Sequence, residues 1–344
     1  MIPQEKSEAV TRGLREAFGV SAADEISVVT GGHTSSRVFR VVARGTPYLM
    51  KIITRAEDPS RHYECMRTAA EAGVAPKVWH TDAESKISIT DFVKATTLRA
   101  EAAVVPVAAM LRTLHQVRPF GRAPFNTTCT YLLDRGPLST GPSAEGFLQK
   151  FRASNLLPAG ECEEFFRRYA ELAAVYPYGD SEMVSCHNDV FNPGNVLFDG
   201  RRVWLVDWEA AFLNDRYADL AVAANYVVGN EEEEEIFLRE YFGGPSSEYQ
   251  RARFHLMQQI SHLFYTMGLL YLGSAGRVVD REAAVPEFRE YHRQMWAGEV
   301  DLGDKDVKVL HGRAHWARFL DNVQQPRYGE ALRLMAERRA SREA

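Results

Sequence analysis

The sequence predicts an α+β fold in two lobes: an N-terminal antiparallel sheet carrying a helix, followed by a larger, mainly helical part. Three observations predict it. Short β-type runs follow one another in the order β-β-β-α-β-β with hairpin-length links, which favours an antiparallel sheet with one helix packed on it. The composition turns helical immediately after DFVKATTL. Further on, Leu256, Ile260, Leu263, Met267 and Leu270 recur at intervals of 4, 3, 4 and 3, the mark of a long buried helix. At 344 residues the chain has room for two domains or for one with a second lobe. The division is expected at residues 1–93 and 94–344.

Each element has a local reason. Val10, Leu14 and Phe18 at i, i+4, i+8 predict an amphipathic helix over 8–18. Strands are expected at 26–30, 38–42 and 48–53, separated by GGHTSS and ARGTP. A helix follows over about 59–72, stopped by Gly73 with Pro76 beyond, and then strands at 77–80 and 87–90. Residues 102–116 read as the first helix of the second part, and 121–142, rich in Pro, Gly and Thr, as surface loop. Asn230 precedes a run of five glutamates, 231–235, and is placed to cap a helix whose first turn is acidic, as the helix dipole prefers.

The bulk numbers exclude several functions. Hydrophobic residues make up 45% and charged residues 25%, the balance of a soluble globular protein. A net charge of −5 argues against a non-specific grip on nucleic acid or an anionic membrane. Cys65, Cys129, Cys162 and Cys186 form no CxxC pair, which argues against a zinc site and against a disulfide framework and suits a reducing cytoplasm. The first twenty residues lack a signal pattern, and no run approaches the ~18 apolar residues of a membrane span. A cytoplasmic protein with neither a nucleic-acid nor a membrane partner is expected.

The chemistry concentrates in CHNDVFNPGNVLFDGRRVWLVDWEAA, residues 186–211. His187-Asn188-Asp189 leads through a Pro-Gly turn to Asn195 and the run Val196-Leu197-Phe198. Asp199-Gly200 is a strong hairpin signal, and the partner strand returns to Asp207-Trp208-Glu209. The hairpin folds Asn195 and Asp207 back towards one another, near the loop bearing Asp189. Charges beside core strands cost free energy unless paired or bound to a cation. One carboxylate and one carboxamide oxygen make a hard, oxygen-only site suited to Mg²⁺, and Asp189 remains to accept a proton from an attacking hydroxyl.

The ordered pattern H-x-D…N…D resembles the catalytic and metal loops of kinase-like phosphotransferases, and specifically the choline/ethanolamine kinase and aminoglycoside phosphotransferase family. DWEAAFLNDRYADLA looks like its small-molecule branch, most closely bacterial choline-kinase-like proteins: Glu209 stands where protein kinases use Gly, and no activation segment follows. The resemblance covers about residues 27–275 and implies a protein-kinase-like fold, Asp189 as catalytic base, Asn195 and Asp207 as Mg²⁺ ligands, His187 as support of the loop, and ATP as cosubstrate. One departure is visible. Asn195 lies six residues after Asp189, where the family uses five. Either the loop bulges and Asn195 still reaches the metal, or Asn192 replaces it; Asn195, which directly precedes the strand, is the expected ligand.

A nucleotide kinase also needs a loop over the phosphates, a lysine on the third strand and an acid to hold that lysine. The loop 30–36 supplies Gly31, Gly32, Thr34, Ser35 and Ser36, whose amides and hydroxyls can donate to phosphate oxygens. Lys51, in YLMKII, is the expected phosphate lysine. Glu64 is the expected helix acid, although the family's acid usually sits where His62 stands here, and an offset of two residues turns a helical side chain by ~200°. ISITDFVKATTL resembles the hinge between lobes, with Asp91, Phe92 and Val93 presenting backbone groups to adenine.

The acceptor is expected to be a small-molecule alcohol. A quaternary amine is best held by aromatic faces beside an acid, and the candidates are Phe264, Tyr265, Tyr271, Trp296 and Trp316 with Glu209, Asp215 or Asp219. Tyr265, Glu209 and Asp215 are the first choices, while Asp215 and Asp219 have a competing role as braces of the catalytic loop. The helix HLMQQISHLFYTMGLLY lacks a tryptophan that choline-kinase-like relatives often carry. An ATP- and Mg²⁺-dependent kinase of choline, ethanolamine or a similar amino alcohol is the leading expectation. The alternatives are an aminoglycoside or other metabolite kinase and a non-catalytic nucleotide-binding pseudokinase.

Overall fold

The computed structural model describes residues 2–29, 36–122, 128–133, 144–179, 183–276, 284–301 and 303–343. Helix α1 (Ser7–Phe18) ends at Gly19, whose φ of 69° provides a left-handed C-cap. Strands β1 (Glu25–Val28), β2 (Ser36–Ala43) and β3 (Thr46–Ile53) follow, then α2 (Ser60–Glu71), β4 (Val78–Asp82) and β5 (Ile87–Asp91). They form one antiparallel sheet in the order β1-β2-β3-β5-β4, so β3 is central. Its alternation decides the fate of Lys51. Tyr48, Met50 and Ile52 enter the core on one face, and Lys51 projects from the other.

The expected helix, α2, meets the sheet at β4, where Arg67 donates to Thr81, and α1 packs on the sheet as well. Val10 and Leu14 of α1 join Phe39, Val41, Met50 and Ile89 in the core of the sheet. Cys65 and Ala69 of α2 belong instead to the larger core of the second part. Arg61 shows how α2 is drawn there: its guanidinium donates to the Glu209 carbonyl at 2.8 Å and to that of Ala211.

The second part is mainly helical. It contains α3 (Ala100–Leu114), α4 (Ala144–Ala153), α5 (Ala159–Val175), strands β6 (Met183–Cys186), β7 (Val196–Phe198), β8 (Val203–Leu205) and β9 (Phe212–Asp215), then α6 (Arg216–Val227), α7 (Glu231–Phe242), α8 (Glu248–Ser274), α9 (Phe288–Trp296), α10 (Lys305–Val323) and α11 (Pro326–Glu343). Asn230 accepts from the Glu233 N–H and caps α7, and Ser247 with Gln250 closes a capping box on α8. Leu256, Ile260, Leu263, Met267 and Leu270 are all buried, as their spacing requires. β7 and β8 form the expected hairpin. The pairing of β6 with β9 was not expected, because it joins segments separated by the whole of residues 187–211. Much of the 121–142 stretch lies outside the described residues. Within it, Cys129–Leu132 forms a 3₁₀ turn.

Residues 92–95 leave the sheet and belong to no ladder among the described residues, and Thr96 then bridges Phe198 through its N–H at 2.7 Å. The connector is thereby tied to the β7–β8 hairpin. Among the described residues no helix is long and apolar enough to cross a membrane.

Candidate active site

The site lies where β3 faces the ends of the β7–β8 hairpin. Asp207, just beyond β8, has φ 64°, a left-handed backbone that Asp tolerates better than most residues. Its carboxylate accepts from Lys51 Nζ at 2.8 Å, and Glu209 Oε1 accepts from the same ammonium at 3.2 Å. All three side chains are largely buried, at 17% to 23% exposure, so the pairs are screened far less than surface ion pairs. Arg55 pairs with the other oxygen of Glu209. Lys51 and Arg55 thus hold Glu209 beside β3.

Asp189 and Asn195 meet on the adjoining loop. Asn195 is buried, and its Nδ2 donates to Asp189 Oδ2 at 2.8 Å and to the Asp189 carbonyl at 3.0 Å. The extra residue in the loop is absorbed by a 3₁₀ turn over Pro193–Asn195. Asn192 caps that turn, its Oδ1 accepting from the Gly194 N–H, and it is exposed. Burial pushes the Asp189 carboxyl up to about 7. Asp207 adds to the rise, and the Asn195 amide opposes it. A carboxyl so poised can exchange a proton near neutral pH.

The loop stands on Asp219, which is 1% exposed. Its two oxygens accept the N–H groups of His187 and Asn188, each at 2.8 Å, and His115 Nε2 lies 3.3 Å away. Burial pushes the Asp219 carboxyl up, but the His115 hydrogen bond, the nearby histidines and the His187 N–H together hold it below its ordinary value. His187 donates from Nε2 to the Val206 carbonyl at 2.9 Å and lies edge-on to Trp208. Asn188, at φ 64°, is held through its side chain by the Cys186 and Phe212 carbonyls and by Asn214. Backbone and side chains together fix where Asp189 points.

Several expected residues lie elsewhere. Glu64 does not reach Lys51: it is 66% exposed and pairs with Arg118 at 3.5 Å, because its place on α2 turns it outward. His62 is the α2 side chain near Lys51. Burial, with Lys51 and Arg61 adding to it, lowers its pKa to about 4. Asp215 is fully buried, caps α6 through the Tyr217 N–H, and pairs with fully buried Arg253 at 2.8 Å, so it cannot meet an acceptor. Tyr265 stacks on Phe191 at 4.1 Å, which uses one face of its ring in packing. Among the other aromatic candidates, the Trp296 indole donates to the Leu98 carbonyl and Trp316 is buried with its N–H on Glu161. Asp91 donates its N–H to the Lys77 carbonyl and accepts the Trp79 indole on its side chain, while Val93 lies in the unladdered connector. Gly31, Gly32, Thr34 and Ser35 lie outside the described residues, and Ser36 opens β2 opposite Ile53.

The donor set fits Mg²⁺. Asp207 supplies carboxylate oxygen. Asn195, whose amide nitrogen is committed to Asp189, has its oxygen left as a ligand, and Lys51 already fills the part of a cation between Asp207 and Glu209. Arg61, Asn214 and Asn188 were not singled out by the sequence, since each acts through contacts with distant segments.

The profile of the phosphotransferase enzyme family (APH) matches residues 25–255. None of the curated proteins compared with the chain matches it. Solved structures do. A choline/ethanolamine kinase family protein from Mesorhizobium loti superposes with a TM-score of 0.65 at 21% identity, covering 96% of this chain and 98% of its own. A choline kinase from Cryptosporidium parvum gives 0.61 at 13%, covering 96% and 99%. The choline kinase LicA from Streptococcus pneumoniae gives 0.55 at 16%, covering 92% and 100%, and LicA in complex with AMP gives 0.51. At these identities the likeness establishes a kinase-like fold.

Proposed function

Because the chain belongs to the phosphotransferase enzyme family, we propose that it transfers the γ-phosphate of ATP to a hydroxyl of a small amino alcohol, with choline or ethanolamine as the leading acceptors. The observation that carries this reading is the convergence of Lys51, Asp207, Asp189 and Asn195 on one buried point. Asp189 takes the proton of the attacking hydroxyl, and Lys51 with the loop over 31–36 orients the phosphates. Asn195 and Asp207 hold Mg²⁺, which when bound offsets charge on the transferring group. Glu209, together with Arg55, keeps Lys51 directed into the site. The connector at Phe92 and Val93 offers backbone groups to adenine, and the division at 93/94 separates a nucleotide-binding lobe from a catalytic one. The four cysteines are free, in keeping with a reducing cytoplasm.

The amino-alcohol class is supported by the likeness to choline kinases, and an acceptor panel tests it. ADP release measured with choline, ethanolamine, other amino alcohols and aminoglycosides should be strongest with an amino alcohol. Stimulation by an aminoglycoside alone would move the acceptor class. Asp189→Ala should abolish turnover while Mg-nucleotide binding, read by calorimetry, stays within a few-fold. Equal slow ATP hydrolysis in parent and variant, with no acceptor phosphorylated, would reduce the protein to a nucleotide-binding module.

A further inference from the structure

Away from the phosphate site, α8, α9 and α10 bring four histidines together in the interior: His262, His292, His311 and His315, none more than 2% exposed. His311 Nε2 lies 3.1 Å from His292 Nε2 and 3.1 Å from His315 Nε2. His292 Nδ1 lies 2.8 Å from the Phe288 carbonyl, and His315 Nδ1 lies 2.9 Å from His262 Nδ1.

Hydrogen bonding alone serves this arrangement poorly. The Phe288 carbonyl can only accept, so His292 carries its proton on Nδ1, and its neutral ring presents a bare Nε2 to His311. The single Nε2 of His311 must then serve two contacts. If protonated, it divides one hydrogen between two acceptors. If bare, it faces the bare nitrogen of His292. Even with a charged ring, no protonation state gives each 3.1 Å contact a hydrogen and a lone pair of its own.

A metal ion resolves the conflict, because it accepts one lone pair from each ring. Zn–N bonds of about 2.0–2.1 Å at tetrahedral angles separate ligand nitrogens by about 3.3 Å, close to the spacing found. The outer contacts also have the form metal-bound histidines use: a second nitrogen donating to a carbonyl or a neighbouring ring, which fixes tautomer and orientation. Phe288 serves His292 in this way and His262 serves His315. The His311 ring has no partner on Nδ1 among the described residues and stacks instead on Phe191 at 5.2 Å.

We propose that His292, His311 and His315 bind a transition-metal ion of the Zn²⁺ class, with His262 as the outer partner of His315. Three neutral imidazoles without a carboxylate select a borderline ion such as Zn²⁺ or Co²⁺ over Mg²⁺ or Ca²⁺. Three protein ligands leave a fourth position for water. The ion ties α9 to α10, and His311 carries its effect to Phe191, two residues beyond Asp189 on the catalytic loop.

The test uses untagged full-length protein, refolded or dialysed with Zn²⁺, Co²⁺ or Mg²⁺. Elemental analysis should find one equivalent of Zn²⁺ retained after desalting. The Co²⁺ form should show the intense visible bands of a four-coordinate nitrogen site, and Zn²⁺ but not Mg²⁺ should raise the thermal midpoint. His315→Gln and His311→Gln should lose that equivalent and those bands, while His255→Gln, on α8 but outside the cluster, keeps both. If the two cluster variants fail to fold, the Co²⁺ spectrum of the parent decides. Absence of tetrahedral bands and of a retained equivalent, or full binding by folded cluster variants, overturns the proposal. Because no readout is catalytic, this result is independent of the kinase reading.

Discussion

Of the two glutamates expected near Lys51, Glu209 reaches the ammonium, beside Asp207, and Glu64 does not. Glu209→Gln removes a charge that opposes the ammonium inside a largely buried group, whereas Glu64→Ala removes an exposed pair with Arg118. We expect Glu209→Gln to lower kcat/KM for ATP by about ten- to a hundredfold and Glu64→Ala to change it less than about twofold; equal effects in steady-state assays would contradict this difference. Asp219 offers a second test. Asp219→Asn replaces one acceptor oxygen by an NH₂ group that faces a backbone N–H of His187 or Asn188, leaving that donor buried and unmet. The expected cost is about 1–3 kcal/mol of stability, read by urea denaturation. A fall in kcat with nearly unchanged nucleotide affinity should accompany it, because the loop that aims Asp189 loosens. A fully active variant would show that Asp219 is not what aims the loop.

At the scale of elements, α8 and α10 pack so closely that glycine is required at the contact. A Cβ on Gly273 would lie 2.7 Å from the Lys305 carbonyl oxygen and 2.9 Å from the Val309 nitrogen, both backbone atoms that cannot move aside cheaply. Gly268, on the same helix, has nothing within 4 Å of such a Cβ. Gly273→Ala should therefore destabilise by about 1–3 kcal/mol, and Gly268→Ala should stabilise by up to about 1 kcal/mol through helix propensity. Denaturation midpoints moving in the same direction would contradict this packing. The contrast also marks what a sequence shows. The hairpin, the caps on α7 and the buried stripe of α8 were legible because turn chemistry and periodicity are local. So was the H-x-D…N…D pattern, whose polar residues stand out among apolar strands. The partner of Lys51 was not legible, since two residues of helix turn Glu64 from inside to outside. Nor was the pairing of β6 with β9, or the assignment of α2 to the larger core, because each depends on contacts between distant segments. The histidine cluster draws on three helices. Only the i, i+4 spacing of His311 and His315 hints at it in sequence.

Among the described residues there are two cores, one under the N-terminal sheet and one filling the helical part, and half-buried His62 on α2 and buried His255 on α8 each resist protonation. His62, beside Lys51, is lowered to about 4, chiefly by burial with nearby positive charges adding to it. His255, on α8, is lowered to about 3 by burial, with Arg327 and Arg318 adding to it. In the unfolded chain both return to an ordinary value near 6.5. Below that pH the unfolded state binds protons the folded state refuses, so stability rises with pH across this window. Their contribution is complete above about 6.5 and is lost as pH falls towards about 4 for His62 and about 3 for His255. Each group accounts for at most about 1.4 kcal/mol per pH unit, or roughly 2 kcal/mol between pH 7.5 and pH 5. Urea midpoints of the parent and of His255→Gln, measured over that range, isolate one of the two, since carboxylates and the remaining histidines are common to both proteins. The parent should lose about 2 kcal/mol more than the variant on acidification. Parallel curves would mean that His255 titrates alike in the folded and unfolded chains, and that its burial in α8 does not resist the proton.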